Sequence, residues 1–249
     1  MRYLVLGPGA LGFYAMLGYL TKIEHELSDV EEISGASAGA LAGFFLLSRK
    51  SLRDIFEATI NIDMVELTKV DLKTFINSFG FINHELIKQK LIEIWGGNPT
   101  FKELPKKLYV SAYCIDTLEV EYFSRDTHPD MRVVDAVCAS ISIPFMVSSF
   151  FYKGKRYIDG STNELVPIGP FLNKNFADVL CIEMCQHHAQ KPVETIVDYF
   201  KCIAITVMKI RQHYVDVPRK ILDVSQFDIL DLRAPFETRM KLFTLGYGS

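Results

Sequence analysis

Short apolar runs bounded by glycine or polar residues alternate along the chain with longer stretches whose apolar positions recur at helical spacing. Residues 2–6 predict a buried strand, followed by a glycine-rich loop over 7–12 and a helix over 13–27. A second strand is predicted at 30–34; it runs into Gly35-Ala36-Ser37-Ala38-Gly39 and a short apolar helix over 40–47. Helical patterns follow at 51–58, 71–78 and 83–95, the last opened by Asn83 as a cap and stopped by Gly96-Gly97. The β-formers of 107–115 and 120–124 flank a turn at Asp116-Thr117 and predict a strand pair. Residues 133–139 read as a helix, 140–144 as a loop, Tyr157 and Ile158 as the end of a strand, and 179–185 as a buried strand. Ile196, Val197, Phe200, Ile203, Ala204, Val207 and Ile210 give 193–211 the stripe of a long amphipathic helix. A last strand is expected near 227–230, before a closing helix over 235–245.

Strands separated by helices predict an α/β fold, a three-layer α/β/α sandwich around a mostly parallel sheet. No linker-like stretch divides the chain, so 1–249 reads as a single domain, with the helices of roughly 51–97 inserted as a cap or flank.

Composition narrows the function. The 249 residues are 49% hydrophobic and 23% charged, which excludes disorder, collagen and coiled coil. Lys+Arg 27 against Asp+Glu 30 leaves a net charge of -3, with no basic block to hold a phosphate backbone, so nucleic acid is not an expected partner. The five cysteines are scattered irregularly and read as reduced, mostly buried thiols. Cys181 and Cys185 precede His187 and His188, but side chains four apart on a strand stand roughly 13 Å from each other, so no metal site is expected. Residues 3–21 carry no charge, yet Gly7-Pro8-Gly9 and Gly12 would break the helix that a signal peptide or membrane span needs. The expectation is a cytoplasmic protein without a signal peptide or transmembrane helix.

Gly35-x-Ser37-x-Gly39, between a strand and a helix, has the form of a nucleophile elbow. Small residues at Gly35 and Gly39 let the backbone pass close while the Ser37 hydroxyl projects. The Ala38 amide then points outward with the positive end of the helix dipole, where it can bind a developing oxyanion. Gly7, Gly9 and Gly12 also follow a strand and open a helix. They fit two readings: a dinucleotide fingerprint with Glu31 or Glu32 as the ribose-binding acid, or an oxyanion loop beside the elbow. Both glutamates begin the second strand rather than end it, and the serine turn ends it, which favours the second reading.

In this order and context the residues resemble the patatin-like phospholipases, or patatin-like acyl hydrolases. The likeness rests on the glycine-rich loop Gly7 to Gly12, the Gly35-x-Ser37-x-Gly39 turn and the downstream pair Asp159-Gly160. The Ala139-Ser140 to Pro144-Phe145 block, Pro167, Phe227-Asp228 and the terminal Leu245-Gly246-Tyr247 extend it over nearly the whole chain. Three departures stand out: Leu11 replaces the usual Arg or Lys after the glycines, Pro8 replaces a glycine, and Gly160-Ser161 and Glu164-Leu165 replace Gly-Gly and Asn-Asn. Because Pro8 cannot donate, the oxyanion amides fall to Gly9 and Ala10 together with Ala38.

The resemblance implies a patatin-like fold and a Ser37–Asp159 dyad without histidine, in which Asp159 takes the serine proton directly and needs burial to raise its proton affinity. It implies fatty-acyl esters of glycerophospholipids or other lipids as substrates, transient contact with membrane surfaces, and no cofactor. Residues 44–47, 145–147 and 150–152 are candidates to line an acyl pocket. The order Ser37, Asp159, then His187 or His188 also permits a triad, while His25, His84, His128 and His213 are expected on helix or loop surfaces without a role. Two alternatives remain at this stage: a lipid-binding protein of the same fold without activity, and a dinucleotide-dependent oxidoreductase.

Overall fold

The fully buried run of β1 (Tyr3–Leu6) suits a strand with neighbours on both sides and cover on both faces. It leads through a 3-10 turn into α1 (Phe13–Lys22) and then β2 (Glu32–Ala36) and α2 (Ala38–Leu46). Next come α3 (Leu52–Ile60), α4 (Met64–Leu67), α5 (Leu72–Ser78), β3 (Gly80–Ile82) and α6 (His84–Trp95). They are followed by β4 (Lys107–Cys114), β5 (Glu119–Phe123), α7 (Val133–Ser140), β6 (Phe145–Val147), β7 (Phe150–Tyr152) and β8 (Lys155–Asp159). The chain closes with β9 (Val179–Cys185), α8 (Ile196–Lys209), β10 (Arg219–Asp223) and α9 (Phe236–Gly248). This computed structural model describes residues 1–186, 193–209 and 216–249.

The central sheet has eight strands in the order β10-β9-β1-β2-β4-β8-β7, with β5 also pairing β4. Pairing is parallel from β10 to β4 and antiparallel from β4 onward. Leu6 and Gly35 are register partners, so β1 and β2 end at one edge, and β1 has β2 on one side and β9 on the other. In open α/β sheets such a switch point at the carboxyl ends of the strands is where ligands bind.

Leu4 and Leu6 face the larger core, with α1, α2, α7 and α9, whereas Tyr3 and Val5 face a smaller one built on Val166, Ile168 and Phe171. On α9, Gly246 packs so tightly on α1 that a Cβ would collide with the Ala15 carbonyl. Local chemistry sets the ends of the helices between β2 and β4: Ser51 and Asp54 form a capping box on α3, Asp71 caps α5, and Asn83 caps α6 before Gly96 ends it at φ 83°.

Several expectations need correction. The first helix stops at Lys22, and 24–29 continues as 3-10 turns in which none of the residues is buried. The last strand is Arg219–Asp223, not 227–230, which is turn and loop. Only Leu222 of that edge strand is buried, so its sequence lacks the apolar run that marks a central strand. The cysteines, by contrast, are free thiols as expected, with Cys114, Cys138 and Cys181 buried, Cys185 half-buried and Cys202 exposed. No group among the described residues gathers enough His, Cys, Asp or Glu to hold a metal ion.

Candidate active site

Ser37 joins β2 to α2 at φ 54° and ψ −120°, a left-handed conformation that costs a non-glycine residue about 1–3 kcal/mol. What holds the strained turn is proximity of backbone on both sides. A Cβ on Gly39 would collide with the Leu6 carbonyl of β1, and one on Gly35 would stand 2.5 Å from the Gly39 carbonyl oxygen. From α7 the Ser140 hydroxyl accepts the Ser37 N–H at 2.8 Å. The Ser37 side chain is buried at the start of α2.

Asp159 ends β8 and is wholly buried. Its N–H donates to the Ser142 carbonyl at 2.9 Å, and its Oδ1 accepts the Ser161 N–H at 2.9 Å and the Ser161 hydroxyl at 2.6 Å. Burial pushes the carboxyl from 3.8 up to about 6, against the pull of hydrogen bonds from Ser161 and Ser37. The Ser37 hydroxyl is thus among the groups that act on this carboxyl, and Oδ2 has no other hydrogen-bond partner among the described residues.

The glycine loop stands beside the elbow. Leu11 donates its N–H to the Ile229 carbonyl at 3.1 Å and Gly12 donates to Gly9 at 2.6 Å. The Gly9, Ala10 and Ala38 amides find no acceptor among the described residues. Ala10 and Ala38 line the same cavity as Ser37, and Ala10 is a second strained residue at φ 44°. Gly160 follows Asp159 in a buried 3-10 turn. Glu31 pairs with Arg2, and Glu32 accepts from the Tyr109 hydroxyl at the opening residue of β2, in register with Tyr3. Both acids lie at the far end of the strand from the loop, which removes the dinucleotide reading.

A cavity of about 150 Å³ runs from Ser37 into the apolar interior. Leu41 and Phe45 of α2 and Leu91 and Ile94 of α6 line its walls, with Thr59 of α3 and Met64 of α4. Of the residues expected to line an acyl pocket, Phe45 and Val147 do so. Phe44 stacks on Trp95 with ring centroids 5.8 Å apart, Phe145 stacks on Phe200, and Phe151 is exposed.

Residues 4–172 match the family described as patatin-like phospholipase. The chain belongs to that family of lipid acyl hydrolases. It is 25% identical to protein R571 of Acanthamoeba polyphaga mimivirus over all of this chain and 92% of that protein. It is 28% identical to a probable lipid hydrolase, 463L, of invertebrate iridescent virus 6 over 67% of this chain and 62% of that one. Among solved structures, VipD of Legionella pneumophila superposes with a TM-score of 0.67 at 15% identity, covering 99% of this chain and 65% of VipD. The type III effector ExoU superposes with a TM-score of 0.55 at 15% identity, over 99% of this chain and 51% of ExoU. Both share the patatin fold with this chain.

At the place where patatin-like phospholipases usually carry Arg or Lys, Leu11 is buried and faces the cavity, so the departure turns a cationic position into apolar wall. The histidine expectations fare unevenly. His25 is exposed as expected, whereas His84 is buried and His128 half-buried with its ring edge-on to Phe123. His84 leads α6, and its helix-surface position is covered by Phe150 and by Ser142 and Ser148, which come from distant parts of the chain. His187, His188 and His213 lie outside the described residues. Ser140 was also missed as a site residue, although it belongs to the Ala-Ser block that carries the family likeness.

Proposed function

We propose that this patatin-like chain is a serine lipid acyl hydrolase of the phospholipase A or lysophospholipase type. The single observation that carries the reading is a wholly buried carboxyl, raised to about 6 and with no other partner on Oδ2 among the described residues, acting on the hydroxyl of a strained elbow serine at the end of an apolar cavity. Asp159 takes the Ser37 proton as Oγ attacks the ester carbonyl. The carbonyl π electrons move onto oxygen, and the Gly9, Ala10 and Ala38 amides stabilise that charge. Collapse of the tetrahedral intermediate breaks the bond to the alcohol, which leaves with the proton held by Asp159. The acyl-serine is then hydrolysed by water that gives its proton to the same carboxylate, and the fatty acid departs as Ser37 regains its hydrogen.

The cavity suits one fatty-acyl chain, and α3 to α6 act as the cap that roofs it within a single domain. Leu72 and Ile76 of α5 and Phe79, which follows the helix, are exposed, and Arg156 lies over the Phe79 and Phe151 rings, which supports transient contact with a lipid surface. No described helix is long and apolar enough to cross a membrane.

Labelling with a fluorophosphonate, localised by mass spectrometry, is expected to modify Ser37. The purified chain is expected to release fatty acid from phospholipid vesicles, and Ser37→Ala and Asp159→Asn each to stop it. Wild-type protein that binds fatty-acyl lipid yet neither labels nor turns over would make the chain a binding protein instead.

A further inference from the structure

His84 lies outside the proposed chemistry and is nevertheless buried against it. Its Nε2 stands 3.0 Å from the Ser142 hydroxyl and its Nδ1 2.9 Å from the Ser148 hydroxyl, with Phe150 edge-on to the ring. Ser142 spends its own hydroxyl hydrogen on the Cys138 carbonyl at 2.8 Å, so toward His84 that oxygen accepts. A neutral imidazole offers one donor and one acceptor. The proton therefore sits on Nε2, and the Ser148 hydroxyl donates to Nδ1. One directed chain results, from Ser148 through His84 and Ser142 to the main chain of α7. The same Ser142 offers its carbonyl to the Asp159 N–H at 2.9 Å, and its neighbours Ile141 and Ile143 line the cavity.

We propose that His84 is a positioning residue for the acyl transfer: through Nε2 it locks Ser142, and through the Ser142 carbonyl it holds the Asp159 carboxyl aligned on Ser37 and sealed from water. Without the imidazole, the turn at 141–143 loses the group that ties it to α6, and water gains a path to the carboxyl. The charged group that acts on His84 is Lys88 of α6, itself paired with Asp135 of α7 at 2.5 Å. Burial holds His84 down to about 4, opposed by the Cys138 carbonyl, so the ring stays neutral while Asp159 titrates. On Asp159 the acting groups are Ser161 and Ser37, neither of them charged.

The inference rests on Asp159 as the base, and its test separates the two ideas. An asparagine places its amide where Nδ1 stands and keeps Ser148; a glutamine reaches the Nε2 position and keeps Ser142. His84→Asn is expected to lower kcat roughly 10- to 100-fold with KM within about twofold, while His84→Gln restores most of the rate. The acid limb of kcat/KM should move below its wild-type position near 6 in His84→Asn, because water at the carboxyl lowers its proton affinity. Equal losses in the two variants, or a limb that stays in place in His84→Asn, would overturn the positioning role. If His84→Asn fails to fold, Ser142→Ala removes the same bond and must show the same shift; an unmoved limb there overturns the role equally. Full activity in Asp159→Asn would instead remove the base reading and this inference with it.

Discussion

Ser37 leaves the parallel half of the sheet, where β2 runs between β1 and β4, whereas Asp159 ends β8 in the antiparallel half. The serine is held mainly by its own neighbourhood: a five-residue turn whose glycines let β1 and α2 approach, followed at once by a helix start. The carboxylate is held by the Ser142 carbonyl from an earlier segment and by the amide and hydroxyl of Ser161 in the turn that Asp159 opens, in a space that excludes solvent. One half therefore stores its strain in backbone dihedrals, and the other stores it as a desolvated charge. The two can be disturbed separately.

The largest effects come from removing each functional group. Ser37→Ala is expected to lower kcat/KM by roughly 1000-fold or more, and Asp159→Asn by roughly 100- to 10000-fold, read as fatty-acid release. Their stabilities should diverge. Folded Asp159 keeps its proton up to about 6, while the unfolded chain releases it near 3.8. Between those values the native state binds more protons, so stability declines as pH rises through the window, and above 6 the whole penalty is present. Asp159→Asn removes it and should be more stable than wild type by as much as about 3 kcal/mol at pH 8, with the gain gone below about pH 4. Ser37→Ala should show no such gain in denaturant titration. Equal stability of Asp159→Asn and wild type at pH 8 would mean that the carboxylate is better solvated than its burial implies.

The pH profile sharpens the same contrast at a smaller scale. Because the base must be ionised, kcat/KM is expected to fall about tenfold per unit below pH 6, following the raised Asp159 carboxyl. An ordinary carboxylate would place that limb near 4, so a profile flat down to pH 5 would mean that the Asp159 carboxyl is not raised, and one still flat below pH 3 would contradict the base role.

Legibility in the sequence follows the same division. The elbow and the glycine loop are local patterns, and residues 35–39 carry their geometry in their own side-chain sizes. Asp159-Gly160 is by itself an ordinary turn signal; only its likeness to a family and its place after the 139–145 block single it out. What surrounds it was not legible. His84 sits where an exposed helix residue is expected, and nothing nearby announces that Ser142 and Ser148 will enclose it. The strain at Ala10 was hidden as well, since alanine gives no signal of a positive φ. β10 escaped notice because an edge strand with one buried residue carries almost no hydrophobic pattern.

Substrate selection tests the parallel half alone. Leu41 lies one turn beyond Ser37 on α2 and lines the cavity. Leu41→Phe fills part of that space and should shift preference toward shorter acyl chains by about fourfold for each methylene that no longer fits. Competition between chromogenic esters of different chain length reads this directly, and an unchanged preference would move the acyl chain elsewhere.

The smallest effect tests what joins the halves. Helix α7 reaches Ser37 directly and Asp159 through Ser142: its Ser140 hydroxyl accepts the Ser37 amide at 2.8 Å, and its Cys138 carbonyl anchors the Ser142 hydroxyl. Ser140→Ala leaves the Ser37 N–H buried without that acceptor, a loss of about 1–3 kcal/mol in stability. Much of that loss falls on the strained turn itself, so the serine should spend part of its time out of line with the carboxylate. The expected result is a kcat lowered by about threefold at unchanged KM, since nothing that touches the acyl chain has altered. Were Ser140→Ala as stable as wild type and as fast, the glycine contacts with β1 would suffice to hold the elbow, and α7 would serve the carboxylate alone.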